Sequence, residues 1–339
     1  MIVLGIESTC DETSCSVVKN GCEILSNVVS SQIDLHAEYG GVVPELSCRR
    51  HVDVFIPVLE EALKEAQISL DMVDLFAVAY GPGLIGALLI GITAAKSLSL
   101  VFNKPFISVN HVEAHLYAAL MSQKTPVTFP CLGVVLSGAH TSLVRMDEIG
   151  SYKLIGETID DAIGEAFDKV ARQLGLNYPG GPKIEALAKD GDPKRFGFKA
   201  GKSKEHPLNF SFSGLKTAVL YTLQGQNKLS TMPLPLTKQN MCDIAASFQH
   251  AAFTDVVEKV MSAAEQYHCK TLVFGGGVTN NLELRRMIQE KAPQLRILWP
   301  SLGLSLDNAA MIAGLGYHNF IRKGKGDPLN LEAATRIAF

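Results

Sequence analysis

Residues 2–28 read IVLGIESTCDETSCSVVKNGCEILSNV, and they decide the fold. Positions 2–7 are apolar and β-branched, the pattern of a core strand. A polar segment follows at 8–13, and 14–19 alternates as a second strand does. Asn20-Gly21 is a hairpin turn signal, and 22–28 supplies a third strand. The same order returns at 131–158, CLGVVLSGAHTSLVRMDEIGSYKLIGET. There the strands fall at 131–136, 141–146 and 152–158, with a small polar turn at 137–140 and a second turn at 147–151. Leu4-Gly5 precedes Thr13-Ser14 by the same spacing as Leu132-Gly133 precedes Thr141-Ser142. An order of elements repeated over this length predicts two related domains rather than a solenoid.

Helices follow each copy. After the first, 47–67 has helical periodicity, 74–79 is a strand, 81–83 a Gly-Pro-Gly loop, and 84–102 an apolar helix expected to be buried. The run 105–109 is a further strand. After the second copy, 160–174 and 182–189 are amphipathic, and 237–268 is one long helix or two. A strand at 271–274, a triple-glycine loop at 275–277 and a helix at 280–292 repeat the strand, Gly-rich loop and helix of the first half. A short strand at 296–299 and a closing helix at 306–322 complete the pattern, and 324–339 is a tail. The 194–235 stretch is irregular and rich in Gly, Ser, Lys and Pro. It is either a functional ordered loop or a flexible surface insertion. The expected domains are 1–118 with 306–326, then 128–303 carrying the 194–235 insertion, then a 327–339 tail.

Whole-chain properties narrow the function classes. At 339 residues the chain is long enough for two domains, and its net charge of −3 excludes a generally basic nucleic-acid binder while leaving room for a local basic surface. Seven cysteines, an odd number without a Cys-x-x-Cys pair, fit a reducing compartment. No basic n-region precedes the first strand, and 84–102 is broken by Gly, Thr, Lys and Ser. Cytoplasm is the expected location.

Chemistry-bearing residues gather at a few places. Asn110 stands where a helix N-cap would, ahead of His111 and His115, which then share one face of the first turns. Such a pair holds a metal ion when at least one further ligand comes from elsewhere; otherwise it only packs or faces solvent. Asp307, near the start of the closing helix, is a candidate third ligand or a complement to that helix's N-terminus. Three small-residue loops, 7–13, 137–141 and 275–281, follow strands and can offer backbone N–H groups to phosphate. None has the Walker A or dinucleotide pattern. Asp11 and Glu12 lie in the first loop, where a carboxylate can accept a proton or hydrogen-bond its own turn. Glu165 and Asp168 share a helix face. Lys194, Arg195, Lys199, Lys202 and Lys204 form one basic run, and Arg49, Arg50 and His51 another.

Together these motifs resemble the TsaD (Gcp) family, tRNA N6-adenosine threonylcarbamoyltransferases of the actin/Hsp70/sugar-kinase (ASKHA) superfamily. The resemblance runs through Gly5 to Thr13, Tyr39 to Glu45, Gly81 to Leu84, Asn110 to His115 and Leu136 to Thr141. It continues through Asp160-Asp161, Gly164 to Lys169, Tyr178 to Pro182, Phe210 to Lys216, Gly276 to Asn281 and Asp307 to Ala309. It implies a duplicated α/β ASKHA fold with an interdomain nucleotide cleft. It also implies transfer of a threonylcarbamoyl group from threonylcarbamoyl-AMP to adenosine 37 of tRNAs reading ANN codons, with release of AMP. By the same resemblance, His111, His115 and Asp307 are ligands of one iron or zinc ion. Val135, Leu136, Ser137, Gly138, Ala139, Asp168, Gly181 and Asn281 are nucleotide-contacting, and Asp11 is the base. Implied partners are tRNA, an ASKHA-fold paralogue lacking the His pair, a P-loop ATPase and a threonylcarbamoyl-AMP synthase. Two positions depart from the family pattern. Ala139 replaces a glycine, where a Cβ crowds phosphate or strains a positive-φ residue. Glu185 replaces an aspartate, which lengthens or removes a ribose contact.

Other classes compete. A metallopeptidase is suggested by the two histidines, but His-Val-Glu-Ala-His is not His-Glu-x-x-His. An ATP-dependent small-molecule kinase shares the superfamily fold but has no need of a His-held metal. A non-catalytic paralogue lacks the His pair that this chain keeps.

Overall fold

The opening stretch folds as three antiparallel strands, β1 (Ile2–Glu7), β2 (Glu12–Lys19) and β3 (Glu23–Ser31), in a computed structural model that describes residues 1–123, 125–225 and 233–337. The chain continues with α1 (Ile33–Ala37), α2 (Pro44–Ala66), β4 (Leu75–Gly81), α3 (Ile85–Phe102), β5 (Phe106–Asn110) and α4 (His111–Leu120). The second copy gives β6 (Cys131–Leu136), β7 (Thr141–Glu148) and β8 (Ser151–Glu157), then α5 (Ile163–Gln173), α6 (Gly180–Ala188), α7 (Ser213–Gln224) and α8 (Lys238–Gln266). Next come β9 (Thr271–Gly275), α9 (Leu282–Lys291), β10 (Arg296–Leu298) and α10 (Ala309–Lys323).

Two five-stranded sheets result, in the orders β3-β2-β1-β4-β5 and β10-β9-β6-β7-β8. Reversing the second order gives β8-β7-β6-β9-β10, the connectivity of the first. In each, the first strand of a meander pairs in parallel with the strand that arrives after the helices, β1 with β4 and β6 with β9. The fold is thus a duplicated α/β architecture. Asn20 and Gly21 both take positive φ in the β2–β3 turn, as their hairpin signal requires. By compactness the chain divides into a first unit, Met1–Val127 with Met146–Tyr152 and Trp299–Phe339, and a second, Thr128–Arg145 with Lys153–Leu298.

Close packing at Gly5 brings the end of the chain back to the first strand. A Cβ there would lie 2.2 Å from the Ala309 carbonyl oxygen, so only glycine lets α10 sit directly on β1. Ser14 of β2 accepts the Ala309 N–H (2.9 Å), and Asn308 caps the helix through Met311 N (3.1 Å). The cap fixes the start of α10 at Ala309, three residues beyond the expected 306. Helix α2 starts earlier than its periodicity suggests, because Pro44 is favoured at a first helical position. Helix α3 is not buried throughout: Ala87, Leu88, Ile92 and Ala95 enter the core, whereas Ile85, Leu89, Leu100 and Val101 are at least half exposed. The single α8 resolves the choice between one helix and two.

The 194–235 stretch is not uniformly irregular, since α7 lies within it; residues 226–232 of that stretch and 338–339 of the tail fall outside the described residues. Its start and the residues just before it are tied to α8: Asp243 accepts Asp192 N (2.9 Å) and Ser247 accepts Phe196 N (3.1 Å). Asp160 then gathers the start of α7, accepting from Ser211 Oγ (2.6 Å), Phe212 N (2.8 Å), Ser213 N (3.2 Å) and Ser213 Oγ (2.7 Å). Asp161 beside it pairs with Lys169 and Lys216. Burial opposes ionisation of Asp160, but these four donors outweigh it and hold the carboxyl below its ordinary range. A depressed folded pKa means stability that is present above the unfolded value of about 3.9 and lost as pH falls through the folded value. Asp160→Asn should therefore lower unfolding stability at pH 7 by about 1 kcal/mol, a figure discounted for solvent access. The gap from wild type should narrow in urea titrations as pH falls below the unfolded value of about 3.9 and through the folded one; a gap that does not narrow contradicts the assignment.

Candidate metal centre and nucleotide loops

Three donors converge in the first unit. Asn110 caps α4, accepting Val112 N (2.9 Å) and Glu113 N (3.4 Å), and so sets His111 and His115 one turn apart on one face. Asp307, immediately before the Asn308 cap, places Oδ1 3.1 Å from His115 Nε2 and 3.6 Å from His111 Nε2. One ligand atom from each residue lies within 4.8 Å of the others. Both histidines are buried, and neither ring nitrogen of His115 makes a hydrogen bond. A buried imidazole without a hydrogen-bond partner, facing a carboxylate shared with a second imidazole, fits a metal ligand set better than a packed core. The group can hold a metal ion, and two imidazoles with one carboxylate suit zinc or iron.

Glu7 joins this group from the end of β1, a role the sequence does not point to. Its Oε2 lies 2.9 Å from His111 Nδ1, and its Oε1 accepts Thr9 N (2.6 Å). The Glu7 carboxylate thereby accepts the Nδ1–H hydrogen bond, as the usual outer-shell partner of a metal histidine does, and leaves Nε2 aimed at Asp307. Burial disfavours the charged ring of His111, but Glu7 and Asp307 outweigh it and raise the pKa to about 9. The only sequence signal for Glu7 is an acid ending an otherwise apolar core strand. Glu113, the acid a peptidase reading needs, is not one of the converging donors; burial pushes its carboxyl up to about 7 against the pull of Arg322.

The turn from β1 to β2 carries Asp11, which is 7% exposed. Its carbonyl accepts Gln32 N (3.0 Å). Burial, then the charges of Asp307 and Asp11, push the Glu12 carboxyl well above the usual carboxylate range.

In the second unit, the loop after β6 closes on itself: Ser137 N donates to His140 O (2.8 Å) and His140 N to Ser137 Oγ (3.0 Å). Val135 and Leu136 are buried strand residues, while Gly138 and Ala139 are exposed and their N–H groups bond nothing among the described residues. Ala139 does not have positive φ, so the backbone strain expected of a non-glycine residue there is absent. Gly276 does (φ +93°), and a Cβ on it would meet Leu136 O at 2.5 Å; this seats the loop after β9 against the loop after β6. Asn281 follows it and caps α9 through Glu283 N (3.0 Å) and Leu284 N (3.2 Å) while donating to Gln249 (2.8 Å). Glu185 Oε1 accepts Leu282 N (2.9 Å), so its carboxylate is held on the same helix start. A cavity of about 340 Å3 opens beside Glu185, Gln249 and Leu282, within the size range of ligand pockets. Asp168 accepts Gly180 N (2.7 Å), and burial raises its pKa. A Cβ on Gly181 meets nothing within 4 Å. Glu165 parts from Asp168, pairing with Lys169.

The two basic runs fare differently. His51 is fully buried and Arg49 pairs with Glu45 (2.6 Å), which leaves Arg50 alone of the first run as an exposed free cation among the described residues. Lys194, Arg195, Lys199 and Lys204 are exposed, with no ion pair among the described residues, and Lys202 lies 3.9 Å from Glu258.

Residues 23–314 match the family model described as TsaD: tRNA N6-adenosine threonylcarbamoyltransferase. A Protochlamydia amoebophila protein of that name is 61% identical over 336 residues, covering 99% of this chain and 98% of its own. A Chlamydia felis protein of that name is 50% identical over 324 residues, covering 95% and 93%. Among solved structures, full-length HypF in a phosphate- and nucleotide-bound form superposes with TM-score 0.62 at 13% identity, over 96% of this chain and 56% of that one. The Acidaminococcus fermentans (R)-2-hydroxyglutaryl-CoA dehydratase component A gives TM-score 0.52 at 16% identity, over 94% and 98%. These structures share the ASKHA-type fold.

Proposed function

Because the chain belongs to the tRNA N6-adenosine threonylcarbamoyltransferase family, we propose that it moves the threonylcarbamoyl group of threonylcarbamoyl-AMP onto N6 of adenosine 37 in tRNAs reading ANN codons, releasing AMP. The observation that carries this reading is the convergence of His111, His115 and Asp307 with Glu7 behind His111. These residues would hold an iron or zinc ion, which when bound supplies Lewis-acid polarisation of the transferred carbamoyl group. The free N–H groups of Gly138 and Ala139 would donate to the phosphate of the departing AMP. Asp168, Gly181, Glu185 and Asn281 would position the nucleotide. Asp11 would take the proton that N6 loses as the new N–C bond forms. Glu185 differs here from a shorter aspartate: its reach to Leu282 N ties the nucleotide site to the start of α9. The partners are an ASKHA-fold paralogue without the His pair, a P-loop ATPase and the synthase that makes the adenylate, all cytoplasmic. Exposed Val52 and Ile56 on α2, with Ile85 and Leu89 on α3, support a protein partner for the first unit.

The test is mass spectrometry of tRNA nucleosides after incubation of the protein and its partners with synthetic threonylcarbamoyl-adenylate. Threonylcarbamoyladenosine at position 37 is the expected product, and unmodified tRNA overturns the reading. The tRNA needs a basic surface, and the free cations of the 194–204 run favour that segment over Arg49–Arg50. Glutamine at Lys194, Arg195, Lys199 and Lys204 should weaken tRNA binding. It should also make the log–log salt dependence shallower by about 0.7 to 0.9 for each phosphate left without its cation, with AMP affinity unchanged. An unaltered salt slope places the RNA elsewhere.

A further inference from the structure

The buried histidine of the first basic run has a different use. His51 lies on the second turn of α2 with Ser47 one turn before it, and both are fully buried. His51 Nε2 is 3.0 Å from the carbonyl oxygen of Cys10, and its Nδ1 is 2.7 Å from Thr13 Oγ1. Ser47 Oγ donates to the same Cys10 carbonyl. Cys10 and Thr13 bracket Asp11 and Glu12. One helix turn therefore grips the β1–β2 turn on both sides of its acidic residues.

A carbonyl oxygen only accepts, so His51 must carry its proton on Nε2. Nδ1 is then the acceptor, and the Thr13 hydroxyl donates to it. Burial holds the His51 pKa below its ordinary value, with the Cys10 carbonyl and the charges of Glu7 and Asp11 opposing and His36 adding to the depression.

The grip is itself supported by the Tyr39 to Glu45 motif, which has no part in the chemistry proposed for the transfer. His36 of α1 is fully buried and accepts Val43 N through Nδ1 (3.2 Å), and its carbonyl accepts Gly41 N (3.2 Å). Gly40 and Gly41 take φ of 71° and 153°, which a glycine pair allows. Val43 is the N-cap residue of α2, and its carbonyl accepts Ser47 N (3.0 Å). The motif fixes where α2 begins, and so where Ser47 and His51 meet the turn.

We propose that His51, as the Nε2–H tautomer, is a positioning residue that holds the Cys10–Thr13 turn and so aims Asp11 at the amine it deprotonates. This rests on Asp11 being the proton acceptor. Small displacements at a reacting group reduce rate without reducing the binding of a distant part of the substrate.

Two measurements test it. Nitrogen-15 NMR of histidine-labelled wild-type protein should show His51 with protonated Nε2 and bare Nδ1 between about pH 6 and 8; an Nδ1–H tautomer or an imidazolium overturns the proposal without any variant. In the tRNA transfer assay with synthetic adenylate, partners and full-length protein, His51→Leu should lower kcat roughly 100-fold while the KM for the adenylate stays within about two-fold. Bound metal should be unchanged. His51→Gln, which restores a donor at the Nε2 position, should recover most of the loss, whereas a purely packing role predicts no such rescue. If His51→Leu does not fold, Ser47→Ala, which removes the second donor to Cys10, should lower kcat in the same selective way, and a wild-type kcat there counts against the grip. Wild-type kcat in His51→Leu with an inactive Asp11→Asn overturns the positioning role alone. Wild-type kcat in both removes Asp11 as the acceptor.

Discussion

Alanine at His115 should leave the purified protein with far less than one equivalent of bound metal, and transfer to tRNA should fall with it. Asp307 Oδ1 faces both imidazoles, and the three side chains bring their ligand atoms within 4.8 Å. Removing His115 takes away one of these three donors, the one whose ring nitrogens have no hydrogen-bond partner. Its neighbours have other attachments: His111 to Glu7, and the Asp307 segment to the Asn308 cap and Ser14. The fold should therefore survive the change. A graded control follows from Glu7, which touches His111 but is not itself one of the converging donors. Glu7→Gln should weaken metal binding by about 10- to 100-fold, the usual effect of an outer-shell change, and less than His115→Ala. Elemental analysis of the purified variants gives the answer independently of activity. Stoichiometric metal in His115→Ala would remove the centre from this set of residues.

Much of this was legible in the sequence because short-range rules fixed it. The paired meanders were readable from strand periodicity and the Asn20-Gly21 turn. Asn110 was readable as a cap, which sets the two histidines on one face. What the sequence did not disclose depended on tertiary contact. Glu7 ends an apolar strand, and nothing local says that its carboxylate meets a histidine 104 positions away. His51 sits beside Arg49 and Arg50 and reads as charge, yet the helical periodicity of α2 turns it inward onto the 10–13 turn. The neighbourhood of Asp307 depends on Gly5, whose missing Cβ lets α10 approach β1. The strain expected at Ala139 was a conformational inference from residue type, and the backbone there has no positive φ. The Gly, Ser, Lys and Pro around it hid α7 inside 194–235, because its start is fixed by Asp160 from another part of the chain rather than by a local cap.

Asparagine at Asp11 should reduce transfer by about 10²- to 10⁴-fold, the range that removal of a general base produces. The replacement is nearly isosteric, so it keeps the turn's volume while removing the acceptor. The backbone contacts that hold the turn, Gln32 N to the Asp11 carbonyl and His51 to the Cys10 carbonyl, do not involve the altered atoms. Thermal stability should therefore stay close to wild type, and the metal donors, which exclude Asp11, should keep their ion. The proposed nucleotide positions, 135–139, Asp168, Gly181, Glu185 and Asn281, all belong to the second unit, whereas Asp11 belongs to the first. Asp11 is none of these positions, so AMP affinity should be unchanged, which puts the loss in kcat rather than in binding. Single-turnover transfer from synthetic threonylcarbamoyl-adenylate, followed by nucleoside mass spectrometry, separates the chemical step from product release. If that step proceeds within about ten-fold of wild type, the proton has another acceptor, since a mutated base that costs less than this is outside the range of the role.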